Sequence, residues 1–239
     1  MTQMLQPPAK SACLMAVAGF GAVGGLSVYL VGLNPLALLV ALAAYVLGAG
    51  LAVWHMLHGY PHGRIGLCNR VTFMRLVLAT ALLAPLFGTA AAWPVLGLAL
   101  IALALDGVDG WIARREGLVS DFGARFDMEV DAALGLILAL NVWAFGTVGL
   151  AVLVLGVPRY LFVASAWVWP WMARPLPQSQ ARKLACAIQI GALIVLLVPA
   201  LPAALAHLVL WGAGAVLLWS FGRDVLWLFH TKGRVALSL

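Results

Sequence analysis

Long unbroken apolar runs constrain this chain more than any other feature. Eight can be read, at about 12–32, 35–57, 70–90, 93–114, 124–146, 148–172, 181–200 and 203–228. A run of 18 or more apolar residues is long enough to cross a bilayer as a helix. The 239 residues are 64% apolar and only 9% charged, with a mean hydropathy of +1.06; soluble domains do not have this balance. The expected fold is therefore all-α, a polytopic membrane bundle of about eight transmembrane helices. Met1–Lys10 lacks the strongly basic start of a signal peptide, and further runs follow the first. That run is expected to stay in the protein.

The charges predict an orientation. Lys10, His58, Arg64, Arg70, Arg75, Arg114, Arg115, Arg125, Arg174, Arg182, Lys183, Arg223, Lys232 and Arg234 fall at one set of run ends. The opposite turns, near Asn34, Gly88–Trp93, Gly146–Gly149 and Pro199–Pro202, carry no charge. The positive-inside rule then places both termini on the cytoplasmic side. Arg159, just after Pro158 inside the sixth run, is the one basic residue expected elsewhere. A net charge of +6 could suggest nucleic acid. Because the basic residues are spread over membrane-edge loops, anionic headgroups and a phosphorylated substrate are the better partners. Cys13, Cys68 and Cys186 show no disulfide or metal spacing and read as small apolar fillers. Tryptophans such as Trp167, Trp169 and Trp171 read as an interfacial belt. His58 and His62 have ligand spacing, but Gly59 and Pro61 break the helix between them, which favours a linker.

Seven of the eight acidic residues lie between Asp106 and Asp131. An ionisable group at membrane depth costs about 2.5 kcal/mol or more, so such a cluster needs a positive partner. Asp106 and Asp109 are three apart at the end of the fourth run; Asp127 and Asp131 are four apart at the start of the fifth. Each spacing puts both side chains on one helical face. Four carboxylates together would repel and raise one another's pKa values. Two divalent ions would neutralise them, and an all-oxygen set without Cys or His favours Mg²⁺ or Mn²⁺. Gly110 and Gly123 sit beside these acids, and Ala113 continues the small face. A missing side chain there leaves room for a substrate to approach the backbone; the alternative is close helix–helix packing. Glu129 faces away from its neighbouring aspartates, and Asp121 is expected to be solvated in the loop.

The pattern Asp106-x2-Asp109-Gly110-x2-Ala113-Arg114-x8-Gly123-x3-Asp127-x3-Asp131 resembles the signature of the CDP-alcohol phosphatidyltransferases, with every position filled. Asn69-x2-Thr72-x2-Arg75 resembles the start of that family's six-helix core. The resemblance implies two domains: residues 1–62 as an added transmembrane hairpin and linker, and residues 63–239 as the family's membrane domain. It also implies roles. Asp106, Asp109, Asp127 and Asp131 would hold the two metal ions, and Asp131 would also be the catalytic base. Gly110, Ala113, Arg114, Gly123, Asn69 and Thr72 would form the nucleotide site. Pro158-Arg159-Tyr160 resembles the arginine position of glycerol-phosphate-using members, and Lys183 with Arg125 would assist at the acceptor. Arg174, Arg182 and Lys183 also fit ordinary positive-inside flanking.

The expected reaction transfers a phosphatidyl group from CDP-diacylglycerol to a small hydrophilic alcohol and releases CMP. A phosphorylated acceptor such as glycerol 3-phosphate or inositol phosphate comes first, because of the basic residues. Acceptors of the serine or choline type, or a donor such as CDP-choline or CDP-ethanolamine, are alternatives within the family. The expected setting is a bacterial cytoplasmic membrane with the site facing the cytoplasm, among membrane lipids, with a homodimer as an option and no nucleic acid. The rival from another class is a metal-ion or proton-coupled transporter. It would place acids or broken helices near the midplane, whereas these acids cluster at one end of their runs. A catalytically dead scaffold is disfavoured by the complete motif.

Overall fold

The computed structural model describes residues 7–62, 65–116, 120–174, 176–177 and 179–231, with side chains for all of these except 7–9, 59, 109–116 and 121. Among the described residues the structure is helical, with no strand. The described residues form nine α-helices in order: α1 Pro7–Val31, α2 Pro35–Gly59, α3 Leu67–Ala81, α4 Ala92–Glu116, α5 Asp121–Ala144, α6 Leu153–Gly156, α7 Pro158–Val168, α8 Gln180–Leu196 and α9 Ala203–Thr231. Short 3-10 segments lie at Ala84–Phe87, Gly149–Val152 and Pro170–Ala173. The chain divides into two compact units at residue 137/138, inside α5.

In the first unit α1 and α2 form a hairpin that packs on α3. Gly32 turns the chain with φ +71°, a conformation that a Cβ would strain. Asn34 then caps α2 by accepting from the Ala37 N–H at 3.1 Å, with Pro35 in the first turn. Its Nδ2 donates to the Phe87 carbonyl at 2.8 Å, tying the hairpin turn to the far end of the α3 segment. The shared core is built from Val23, Ala41, Tyr45, Ala49, Phe73, Leu76 and Val130. Small side chains let the backbones approach, the main packing device where lipid is as apolar as the core. A Cβ on Gly48 would stand 3.0 Å from Leu76. Large apolar residues such as Leu14, Val17 and Leu39 point outward, the reverse of a soluble protein and the normal face toward lipid.

In the second unit the expected sixth span is not one straight helix. Residues Gly149–Gly156 and Pro158–Val168 meet at 60°. Pro158 has no N–H and its ring crowds the preceding turn, so the helix breaks there. The Leu155 carbonyl at the break accepts from Gln189 Nε2 of α8 at 2.5 Å. Such a side-chain partner is how freed backbone groups are met within apolar surroundings. Helices α8 and α9 pack side by side, and Arg174 donates to the Thr231 carbonyl at 3.0 Å, closing the end of α9.

By length and composition four described segments can cross a membrane: Lys10–Val31, Pro35–His58, Leu67–Phe87 and Ala203–Thr231. The bent pair makes a fifth if it is one span. The expected runs at 93–114, 124–146 and 181–200 coincide with α4, α5 and α8. These do not qualify alone. The part of α4 whose side chains are described, Ala92–Val108, is apolar but shorter than a span, α5 carries charge through its first half, and α8 has 17 residues.

Candidate metal centre

Three helices bring one guanidinium and three carboxylates together. Arg75 lies in the middle of α3 and is 1% exposed. One of its terminal nitrogens is 3.0 Å from an Asp106 oxygen on α4. The other donates to Asp127 Oδ1 on α5 at 2.5 Å, and Asp131, one turn further along α5, accepts from the same guanidinium. The three carboxylates are half-buried, with Asp131 the least exposed. The local sequence explains the placement. Ser120 caps α5 by accepting from the Gly123 N–H at 3.0 Å, and the four-residue interval from Asp127 to Asp131 keeps both acids on the face toward Arg75.

The expectation that Arg75 flanks a span end is therefore corrected, and Arg159 is not alone in lying inside an apolar run. A cation buried in α3 is stable because acids from two other helices surround it; unpaired it would cost several kcal/mol. The available signal was its place in the Asn69-x2-Thr72-x2-Arg75 series, which recurs about once per helical turn. Charge algebra shows what remains. Three carboxylates against one guanidinium leave a formal charge of −2 among these four groups. Asp106, Asp127 and Asp131 can each offer one oxygen with all three within 4.8 Å of one another. Donors, spacing and residual charge fit one hard divalent cation. Asp109 follows Asp106 by one turn of α4. Its side chain, and those of Gly110, Ala113 and Arg114, lie outside the described residues.

The other expected site residues are placed as follows. Asn69 is 1% exposed, and its Nδ2 donates to the Tyr60 hydroxyl at 3.1 Å. Thr72 is buried, with its hydroxyl bonded back to the Cys68 carbonyl at 3.1 Å. Gly123 has Asn69 against its α-carbon: a Cβ there would stand 2.9 Å from Asn69 Oδ1 and 3.2 Å from Ser120 Oγ. This is close packing in the described state. Arg125 is exposed on α5, Lys183 is exposed on the first turn of α8, and Arg159 is half-buried at the start of α7. Arg159 lines a pocket of about 320 Å³ with Phe162, Val163, Trp167 and Met172.

Asp224, the one acid outside the 106–131 window, also has a clear place. It is 6% exposed on α9, with Arg182 Nε at 3.2 Å and Arg223 at 3.3 Å. Arg223 also donates to Ser179 Oγ at 2.7 Å, the side chain that caps α8. Arg182 is thus held by Asp224 and by the Pro177 carbonyl at 2.5 Å.

No curated protein and no solved structure matches the chain. A family profile does: that of the CDP-alcohol phosphatidyltransferases matches residues 65–219, more than half of the chain. The matched stretch contains Arg75 and all four motif aspartates. The helical membrane architecture, the complete acid motif and this match together show that the chain belongs to the CDP-alcohol phosphatidyltransferase family, transferases of phospholipid biosynthesis that generally use a divalent metal.

Proposed function

We propose that this protein transfers a phosphatidyl group from CDP-diacylglycerol to a small hydrophilic alcohol. The observation that carries the reading is the convergence of Asp106, Asp127 and Asp131 from α4 and α5 on one point above a buried arginine. Asp106, Asp109, Asp127 and Asp131 would hold two ions, Mg²⁺ or Mn²⁺. When bound, these ions supply charge neutralisation for the diphosphate and the leaving oxygen.

The chain's own groups supply the rest. Asp131 accepts the proton of the acceptor hydroxyl as a general base. The hydroxyl oxygen forms a new bond to the phosphorus that carries diacylglycerol, and the bond from that phosphorus to the oxygen of CMP breaks. Gly110, Ala113, Arg114 and Gly123, together with Asn69 and Thr72, are the proposed nucleotide-binding residues. The expected acceptor carries a phosphate, such as glycerol 3-phosphate or inositol phosphate. Arg159 supports this: it is a cation beside a pocket in an apolar helix, a functional candidate by default. Lys183 and Arg125 are proposed to assist it. Residues 1–62 are read as an addition to a family domain at 63–239. Helices α4, α5 and α8 are read as further spans, with the acids on the cytoplasmic side as the positive-inside rule requires.

The test is CMP release from CDP-diacylglycerol by purified protein with Mn²⁺ or Mg²⁺, run against a panel of alcohols. Release with glycerol 3-phosphate or inositol phosphate supports the reading. Release with only serine- or choline-type alcohols would reassign the acceptor and Arg159. No release with any alcohol, together with metal-ion flux in liposomes, would overturn it in favour of a transporter. Arg159→Ala should raise the KM for a phosphorylated acceptor about tenfold, the loss of a charge-assisted hydrogen bond, while leaving the KM for CDP-lipid unchanged.

A further inference from the structure

Tyr60 stands outside the family match, which begins at residue 65, yet it contacts the start of α3 and of α5, two of the three helices that carry the first unit's charge cluster. It follows the last turn of α2 with an extended backbone, φ −80° and ψ 119°. Its hydroxyl accepts from Asn69 Nδ2 at 3.1 Å and lies 3.4 Å from the Gly66 N–H. Gly66 is the N-cap of α3 and has no side chain to cap with. The Tyr60 ring packs edge-on against Phe122 of α5, with centroids 5.7 Å apart. Phe122 stacks on Phe126 at 5.8 Å, and Phe126 meets Phe73 of α3 at 5.1 Å.

Asn69 is the link. Its amide nitrogen is engaged by Tyr60, and its Oδ1 fills the space that a Cβ on Gly123 would need. With Asn69 1% exposed, the position of its amide is set by these neighbours. The Tyr60 hydroxyl can donate as well as accept, so what it holds is the place of the Asn69 amide against Gly123. Losing this partner would leave a buried polar group unmatched, which costs more than the bond itself contributes.

We infer that Tyr60 is a positioning residue for the nucleotide site: the N-terminal hairpin reaches into the family domain and holds the Asn69 side chain in place, and with it the contact between α3 and Gly123. The inference rests on the proposed reading of Asn69 and Gly123 as part of the nucleotide site. It gives residues 1–62 a role in donor binding rather than in anchoring alone.

The experiment is CDP binding to the purified full-length protein by calorimetry with Mg²⁺ or Mn²⁺, for wild type, Tyr60→Phe, Asn69→Ala and the double variant. Tyr60→Phe keeps the ring contact with Phe122 and removes only the hydroxyl. It should weaken CDP about three- to tenfold, the range of one hydrogen bond, and leave the KM for the acceptor unchanged. If Tyr60 acts through Asn69, the double variant should bind no more weakly than Asn69→Ala. Asn69→Ser completes the cycle if Asn69→Ala does not fold. Unchanged CDP affinity in Tyr60→Phe, additive losses in the double variant, or an equal rise in the acceptor KM would each overturn the inference while leaving the family reading intact. A wild-type protein that binds no cytidine nucleotide would overturn the donor reading itself, and the inference with it.

Discussion

The two units each contain a network of buried charge, and the networks are mirror images in composition. In the first, one arginine is shared by three aspartates on two other helices. In the second, one aspartate is shared by two arginines, on α8 and on its own helix α9. Both satisfy the demand that ions in an apolar setting be paired. They differ in what is left over. The first retains formal negative charge and carboxylate oxygens close enough to share a cation. The second is closed by neutral partners: Ser179 Oγ takes up Arg223 and the Pro177 carbonyl takes up Arg182. Excess negative charge with several carboxylate oxygens in reach of one point suits a cation, whereas pairing completed by backbone and hydroxyl groups suits a helix clamp.

The comparison breaks first at Asp131. Asp131→Asn should lower kcat by roughly 10²–10⁴-fold, the usual contribution of a general base, with folded protein recovered in normal yield. Asp106→Asn and Asp127→Asn should abolish the metal dependence of the rate along with the rate. Near-normal turnover in any of the three, measured as CMP release, would remove the chemical role from the acid cluster.

Arg75 tests whether the first network also holds the helices together. Arg75→Met removes the only described cation among three carboxylates and should cost about 3 kcal/mol, the lower end of the range for breaking a buried pair because the acids are half-exposed. Thermal unfolding in detergent with a chelator measures it. Adding Mg²⁺ or Mn²⁺ should recover more stability in this variant than in wild type, since the ion then meets all three acids alone. An equal gain in both proteins would separate Arg75 from the metal site. For the second network, Asp224→Asn should cost about 1–2 kcal/mol, reduced by the partial exposure of Arg182 and Arg223. Its metal dependence should match wild type. A shifted metal requirement in Asp224→Asn would show that the two networks are not separate in function.

The smallest expected effect is at Gly123. Gly123→Ala gains helix propensity of roughly 0.5–1 kcal/mol but forces Asn69 or Ser120 to yield by a few tenths of an ångström. Stability should change little and CDP affinity should fall about twofold to fivefold, within the range of one weakened hydrogen bond. A large stability loss with unchanged affinity would make the glycine a packing device alone.

Much of this was legible in the residues. The apolar runs predicted helical segments, although the run at 148–172 was read as one span and breaks at Pro158. The spacings of Asp106 with Asp109 and of Asp127 with Asp131 predicted a common face for each pair, and the full motif pointed to the family. What was misread is equally specific. Arg75 was counted with the flanking cations because its own helix offers it no acid. Asp224 had no assignment because its main partner, Arg182, lies 42 residues earlier in the chain. Tyr60 sat in a stretch that read as a linker.

The sequence by itself determined the fold class and which acids share a face of one helix, because each depends on spacing along that helix. A period of 3.6 residues says which side chains share a face. It does not say which faces meet. That Arg75 of α3 neutralises acids of α4 and α5, that Asn69 fills the space left by Gly123, and that Tyr60 reaches both were decided only by the tertiary structure. These contacts follow from how helices pack, and packing is set by the fit of many small side chains at once rather than by any local pattern.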